Sequence, residues 1–333
     1  MIDQLRRRLI LGVLLGVVVV SVVIVLSDAS ALADAFGTFN WWLTPLVMGM
    51  ILFNYALRFV KWQYYLRLVG VTGLSRRDSA MIFVSGFTMV MTPGKLGELL
   101  KAYLIRTRSG APLSSTIPVV LIERLIDGLA TLLLIGVGVI VFPFGWPLVV
   151  GGLIAVTIVL WVLQRESLIV RILTRLERTR FKRRVRSLEE LYTSTRFLLA
   201  PKPLSIAIGL GTVSWFGECV AFFLILTGLG IDPSWHLLLA ATFVFGASAW
   251  FGALSLLPGG LGVAEASAAA LLLLTIDDPL LTGSVAGAAT LLMRFATLWF
   301  GVLIGMIALA FVSRWPTTDD IPSDPRATSE QAA

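Results

Sequence analysis

The 333-residue chain is 57% hydrophobic and only 14% charged, with a mean hydropathy of +0.90 and a net charge of +7. An average soluble domain is about 45–50% apolar and about 25% charged, so a water-soluble globular protein is excluded and a polytopic membrane protein is indicated. The single Cys219 excludes a disulfide framework, and the single His236 has no clustered partner, so neither a metal site nor a cofactor is expected.

In chain order, Arg6, Arg7 and Arg8 precede a first apolar run at 9–26, followed by the small residues "ASALADA". That run is longer than the apolar part of a cleaved signal peptide, about 7 to 15 residues, so a retained first span is expected, with Asp34 outside. Further runs able to cross about 30 Å of hydrocarbon lie at 41–60, 115–142, 146–163, 203–228 and 281–312, which makes about six full transmembrane helices. Two more apolar stretches, 79–105 and 237–276, are each broken near the middle by Pro-Gly.

Lys and Arg collect in short segments that stay on the cytoplasmic side: Arg6 to Arg8, then Lys61, Arg67, Arg76 and Arg77, then Arg106 and Arg108, and then the loop 165–202. That loop holds eleven basic and four acidic residues, and reads as a topology signal on a solvated helix or as a contact for anionic headgroups. No aromatic-interleaved platform accompanies these charges, which argues against nucleic acid. Asp28, Asp34, Asp232, Asp277 and Asp278 mark the opposite side. Trp41, Trp42, Trp62, Tyr64, Tyr65, Trp146, Trp161 and Trp235 fall near span ends, as interfacial anchors do. Both termini are expected in the cytoplasm, and 314–333 reads as a disordered polar tail to a single membrane domain, 1–313.

With arginines on the same side before and after it, the first broken stretch has arms of only about 12 to 14 residues, roughly 20 Å at 1.5 Å per residue, too short to cross. It is expected to be a re-entrant hairpin turning at Pro93-Gly94. The second stretch has longer arms and is open to re-entry or to two tilted crossings. "MTPGKLGE" in the first and "LLPGGLGVAE" in the second share Pro-Gly-x-Leu-Gly followed by Glu, and a span with one arginine follows each, Arg124 or Arg294. Hairpin plus arginine span therefore occurs at about 79–142 and again at about 237–312, from opposite sides: an inverted repeat.

In the first hairpin Gly94 and Gly97 permit a tight turn, and a helix start beside Lys95 suits a phosphate. The alternative is that Lys95 merely neutralises Glu98. Lys95, Glu98, Glu123, Arg124, Asp127, Glu218, Glu265 and Arg294 are all expected at membrane depth, where unpaired charges are costly, so they pair or line a polar cavity. In "IERLID", Asp127 can meet Arg124 or Glu123 on one helix face. Glu218, Glu265 and Arg294 need partners from elsewhere in the fold or a ligand. Five acids against three bases hint that a cationic or zwitterionic headgroup is allowed.

"MTPGKLGELLKAYLIR", "ERLID" and "LLPGGLGVAEAS", in this order, resemble the flippase-like transmembrane domain of the lysylphosphatidylglycerol synthase/flippase (MprF) family over nearly the whole chain. The resemblance implies a translocator of about eight membrane segments in the cell membrane, able to form a homodimer. Its lipid partner would be an anionic or aminoacylated phospholipid, or a polyprenyl-linked lipid. No soluble aminoacyl-transferase domain follows, so synthesis of lysyl-lipid is not expected. The residues above then form the headgroup site of a lipid flippase or scramblase. A secondary transporter of a small polar solute and a membrane-embedded lipid-modifying enzyme, with Glu98, Glu123 or Asp127 as base, are the alternatives.

Overall fold

The computed structural model describes residues 29–92, 97–165 and 182–315. The first apolar run, Gly94 and Lys95, the centre of the basic loop and the polar tail lie outside them. Every regular element among the described residues is helical, and the protein is a polytopic all-α membrane protein.

Helix α1 (Ala29–Thr38) leads through a 3₁₀ turn, Trp41–Leu43, into α2 (Thr44–Leu68), which opens with Pro45 where a missing N–H costs nothing. The first hairpin begins with α3 (Arg76–Ser85), N-capped by the Ser75 hydroxyl, which accepts from the Asp78 N–H at 3.0 Å. It continues as a 3₁₀ segment, Gly86–Met91, and ends at the extended residue Thr92. Its return arm, α4 (Leu100–Ser109), stops at Gly110, whose φ of +72° suits glycine as the closing residue. Then come α5 (Leu113–Val139), α6 (Trp146–Gln164), α7 (Lys182–Leu198) and α8 (Pro201–Gly228). The second hairpin is α9 (Trp235–Leu254), a turn at Pro258–Gly260 and α10 (Val263–Thr275). Helices α11 (Gly283–Arg294) and α12 (Phe300–Val312) join through one π-helical turn, Phe295–Trp299.

Six segments among the described residues are long and apolar enough to cross a membrane: Trp41–Leu68, Pro143–Gln164, Pro201–Gly228, Trp235–Leu254, Pro258–Thr275 and Gly283–Val312. Both arms of the second hairpin are in that set, whereas the 10-residue helices of the first are not. Helix α5, with 27 residues, has ample length but carries Glu123, Arg124 and Asp127.

Helices α2 and α8 run antiparallel, pinned where the Asn54 amide donates to the Ser214 carbonyl at 2.9 Å and the Ser214 hydroxyl donates to the Asn54 carbonyl at 3.1 Å. Helix α9 lies along α5, with Trp250 Nε1 donating to Thr131 Oγ1 at 2.9 Å and to the Gly128 carbonyl at 3.2 Å. The tip of the second hairpin therefore sits beside the middle of α5. Helix α12 closes over the first hairpin at Gly305, where a Cβ would come within 2.8 Å of the Thr88 backbone nitrogen. Small residues let membrane helices approach this closely. Met91, Leu261, Leu298 and Val302 form a small cluster of their own, where the end of the first hairpin's 3₁₀ segment meets the second hairpin and the span after it.

The reading of the aromatic residues as interfacial anchors needs correction at two positions. Trp62 and Tyr65 are fully buried rather than interfacial; Trp62 Nε1 donates to Ser79 Oγ at 3.1 Å, so a neighbouring helix satisfies its polar end. Trp41, Trp42, Trp146, Trp161 and Trp235 are exposed. Within the basic loop, α7 packs on α5, with the Ser114 hydroxyl donating to Glu190 at 2.8 Å and Leu198 buried.

Candidate functional site

The centre of the site is the polar face of α5. Arg124 and Asp127, one turn apart, pair at 3.0 Å, and Arg124 also meets Glu123 at 3.1 Å. Helix α2 supplies two further cations at helical spacing. Lys61 Nζ lies 2.5 Å from Asp127 Oδ1, and Arg58 lies 3.4 Å from Asp127 and 3.6 Å from Glu123. From α4, Lys101 reaches Glu123 at 2.8 Å and Glu98 at 3.4 Å, with its ammonium 4.8 Å from the centre of the Trp62 ring. Arg124 Nε is 3.3 Å from Glu98. One network thus ties the first hairpin to α2 and α5. Such a network is stable only if its members satisfy one another, because an uncompensated buried charge costs several kcal/mol.

Arg294, which had no sequence neighbour of opposite charge, pairs with Glu265 through Nε at 2.5 Å and donates to the Gly259 carbonyl at 2.8 Å. The other Glu265 oxygen accepts the Gly262 N–H at 2.7 Å. In both hairpins, then, the glutamate after the Pro-Gly turn holds the arginine of the span that follows.

Between these groups is a cavity of about 440 Å³. Arg58, Arg124, Asp127, Glu218 and Arg294 line it, together with aromatic faces that include Tyr55, Trp215 and Trp250. Its lining also reaches Leu254, Leu256 and Leu257 at the second hairpin tip, which are 64%, 66% and 43% exposed. A few charged side chains therefore face a cavity that opens at an apolar lip.

The phosphate seat expected around Lys95 is only partly within the described residues. Lys95 and Gly94 lie outside them, and the Gly97 N–H donates to Thr92 Oγ1 at 2.8 Å. A Cβ at Gly97 would meet that threonine at 2.7 Å, so this glycine serves an internal contact. Arg58, Lys61 and Lys101 were not among the expected site residues, and Lys61, expected in a cytoplasmic cluster, is instead fully buried against Asp127. Among the described residues the charges gathered at the site are Arg58, Lys61, Lys101, Arg124 and Arg294 against Glu98, Glu123, Asp127, Glu218 and Glu265. The acidic excess inferred from sequence is gone.

Residues 12–305 match the family model described as the lysylphosphatidylglycerol synthase TM region. The chain belongs to that family. The chain is 26% identical to a UPF0104 membrane protein of Methanothermobacter thermautotrophicus, over 90% of this chain and 94% of the relative. It is 21% identical to the UPF0104 membrane protein MJ1595 of Methanocaldococcus jannaschii, over 76% of this chain and 80% of that one. No solved structure matches. The family match spans both hairpins and every charge of the network.

Proposed function

We propose that the protein moves a phosphate-bearing lipid between leaflets, as a flippase or scramblase, and is a translocator rather than an enzyme. The observation that carries this reading is a cavity with arginines inside and leucines at its exposed lip. A small polar solute has no use for an apolar entrance, whereas an amphiphile needs both parts. The headgroup phosphate is held by Arg58 and Arg124, with Arg294 at the second hairpin tip, since guanidinium groups match phosphate oxygens in forked pairs. Acyl chains stay in the bilayer beside Leu254, Leu256 and Leu257. Lysylphosphatidylglycerol, named in the family's description, is such a phosphodiester lipid and is one substrate of the proposed class.

The first hairpin is re-entrant in this scheme. Its two ends are joined by the Asp78–Arg108 pair at 3.0 Å, which supports entry and exit on one face. Arg76, Arg77, Arg106 and Arg108 make that face cytoplasmic. Movement of one hairpin-bearing half against the other would expose the cavity to each leaflet in turn. Purified protein in phosphatidylcholine liposomes, with fluorescent phosphatidylglycerol read leaflet by leaflet, tests this. Faster exchange than in protein-free liposomes is expected. Exchange at the protein-free rate, with uptake of a small solute or chemical conversion of the lipid instead, would overturn the proposal.

A further inference from the structure

We infer that Glu265 is a displaceable counter-ion, which holds Arg294 until a lipid phosphate takes that arginine and thereby releases the second hairpin. This inference rests on the translocation reading and adds the coupling between binding and movement.

Three contacts make the Glu265–Arg294 pair a clasp rather than an ordinary ion pair. The carboxylate binds Arg294 through one oxygen at 2.5 Å and caps the start of α10 through the other, at the Gly262 N–H, 2.7 Å away. Arg294 also holds the carbonyl of Gly259, in the turn itself. Both residues that define the hairpin tip are thus fastened to one guanidinium on α11. That guanidinium lines the cavity, with 19% of its side chain exposed, while the Glu265 side chain is 4% exposed. A guanidinium offers five N–H donors, and a carboxylate and a phosphate present the same pair of acceptor oxygens to it. A phosphate arriving through the cavity therefore competes with Glu265 for the same donors, and its success unfastens the tip.

The first hairpin has the same pair in looser form. Glu98 lies 3.3 Å from Arg124 and 3.4 Å from Lys101, and its Oε1 accepts no hydrogen bond. Arg124 retains Glu123 and Asp127 when Glu98 is lost, whereas the ion pair of Arg294 is with Glu265. Removing the carboxylate charge should accordingly matter more at 265 than at 98.

The experiment titrates purified protein with phosphatidylglycerol and measures leaflet exchange of its fluorescent analogue in phosphatidylcholine liposomes. Glu265→Gln should bind the lipid at least about fivefold more tightly, the lower end of common coupling between linked sites, and exchange it more slowly. Glu98→Gln should shift affinity less. Because Glu265→Gln leaves a buried arginine uncompensated, the double change Glu265→Gln with Arg294→Met is the control for folding. It should recover thermal stability without recovering exchange. Recovery of both would identify a purely structural pair and overturn the inference, as would unchanged affinity in Glu265→Gln. If the unaltered protein binds and exchanges the lipid normally in either event, the translocation reading stands alone. If the unaltered protein does neither, both readings fall.

Discussion

Asp127 is the most heavily shared residue of the network, with Lys61, Arg58 and Arg124 all within 3.4 Å of its carboxylate. Asp127→Asn takes from Lys61 the carboxylate it pairs with and removes one of the carboxylates shared by Arg58 and Arg124, while Lys61→Met leaves Asp127 with two partners. Breaking a buried ion pair by removing one member costs about 3–5 kcal/mol, so Asp127→Asn should lower the thermal midpoint in detergent by several degrees and Lys61→Met by less. A larger loss for Lys61→Met would show that the pairing is not shared in this way. Arg124 and Asp127 were legible in sequence because "IERLID" sets them one turn apart. Lys61 was misread because hydropathy ended the span at Val60, while the helix runs to Leu68. The missed signal was the spacing of Asn54, Arg58, Lys61 and Tyr65, steps of four, three and four that mark one helical face.

At the level of elements, both Pro-Gly breaks were visible in the sequence, since proline and glycine disrupt helices by local geometry. Tertiary contact was not visible, and it explains why the repeats differ at their third turn residue. Gly260, the counterpart of Lys95, has a φ of +66°, and a Cβ there would stand 2.8 Å from the Gly252 Cα. No lysine fits where the second hairpin's own helix approaches so closely. Gly260→Ala combines an unfavourable left-handed backbone with a backbone clash, and should cost upwards of about 2 kcal/mol. Gly151→Ala in α6 has open space around it and an ordinary helical backbone, so it should be neutral or stabilising by up to about 1 kcal/mol. Thermal unfolding of both variants checks the contrast; equal behaviour would refute the packing at the tip.

For the whole molecule, the ends of the elements decide the sidedness. The Arg108 guanidinium sits 5.0 Å from the Trp315 ring centre and pairs with Asp78, so the end of α4, the start of α3 and the segment after α12 share one face. At the other face, the Asn40 N–H donates to the Gly228 carbonyl at 2.8 Å, joining the start of α2 to the end of α8. Single cysteines at 77 and 108 should be labelled together from the cytoplasm, and those at 34 and 278 together from outside. The native Cys219 is 1% exposed and should stay silent. Labelling of 77 and 108 from opposite sides would break the re-entrant hairpin and the inverted repeat with it. The repeat was legible as a motif, but its recurring Glu–Arg pair was not, because the glutamates stand at different distances from their glycines: directly after Gly97, but three residues after Gly262.

The ion-paired site, in which carboxylates among the described residues already face cations of the protein, has an electrical consequence. When a monoanionic headgroup passes with no ion beside it, each lipid translocated moves one elementary charge through the membrane field. A potential of 100 mV, negative inside, is worth about 2.3 kcal/mol per charge, which at equilibrium would favour such a lipid in the outer leaflet by roughly fiftyfold. In proteoliposomes with a potassium diffusion potential, the final leaflet ratio should follow the sign of the imposed voltage. A ratio indifferent to voltage would mean that a cation travels with the lipid.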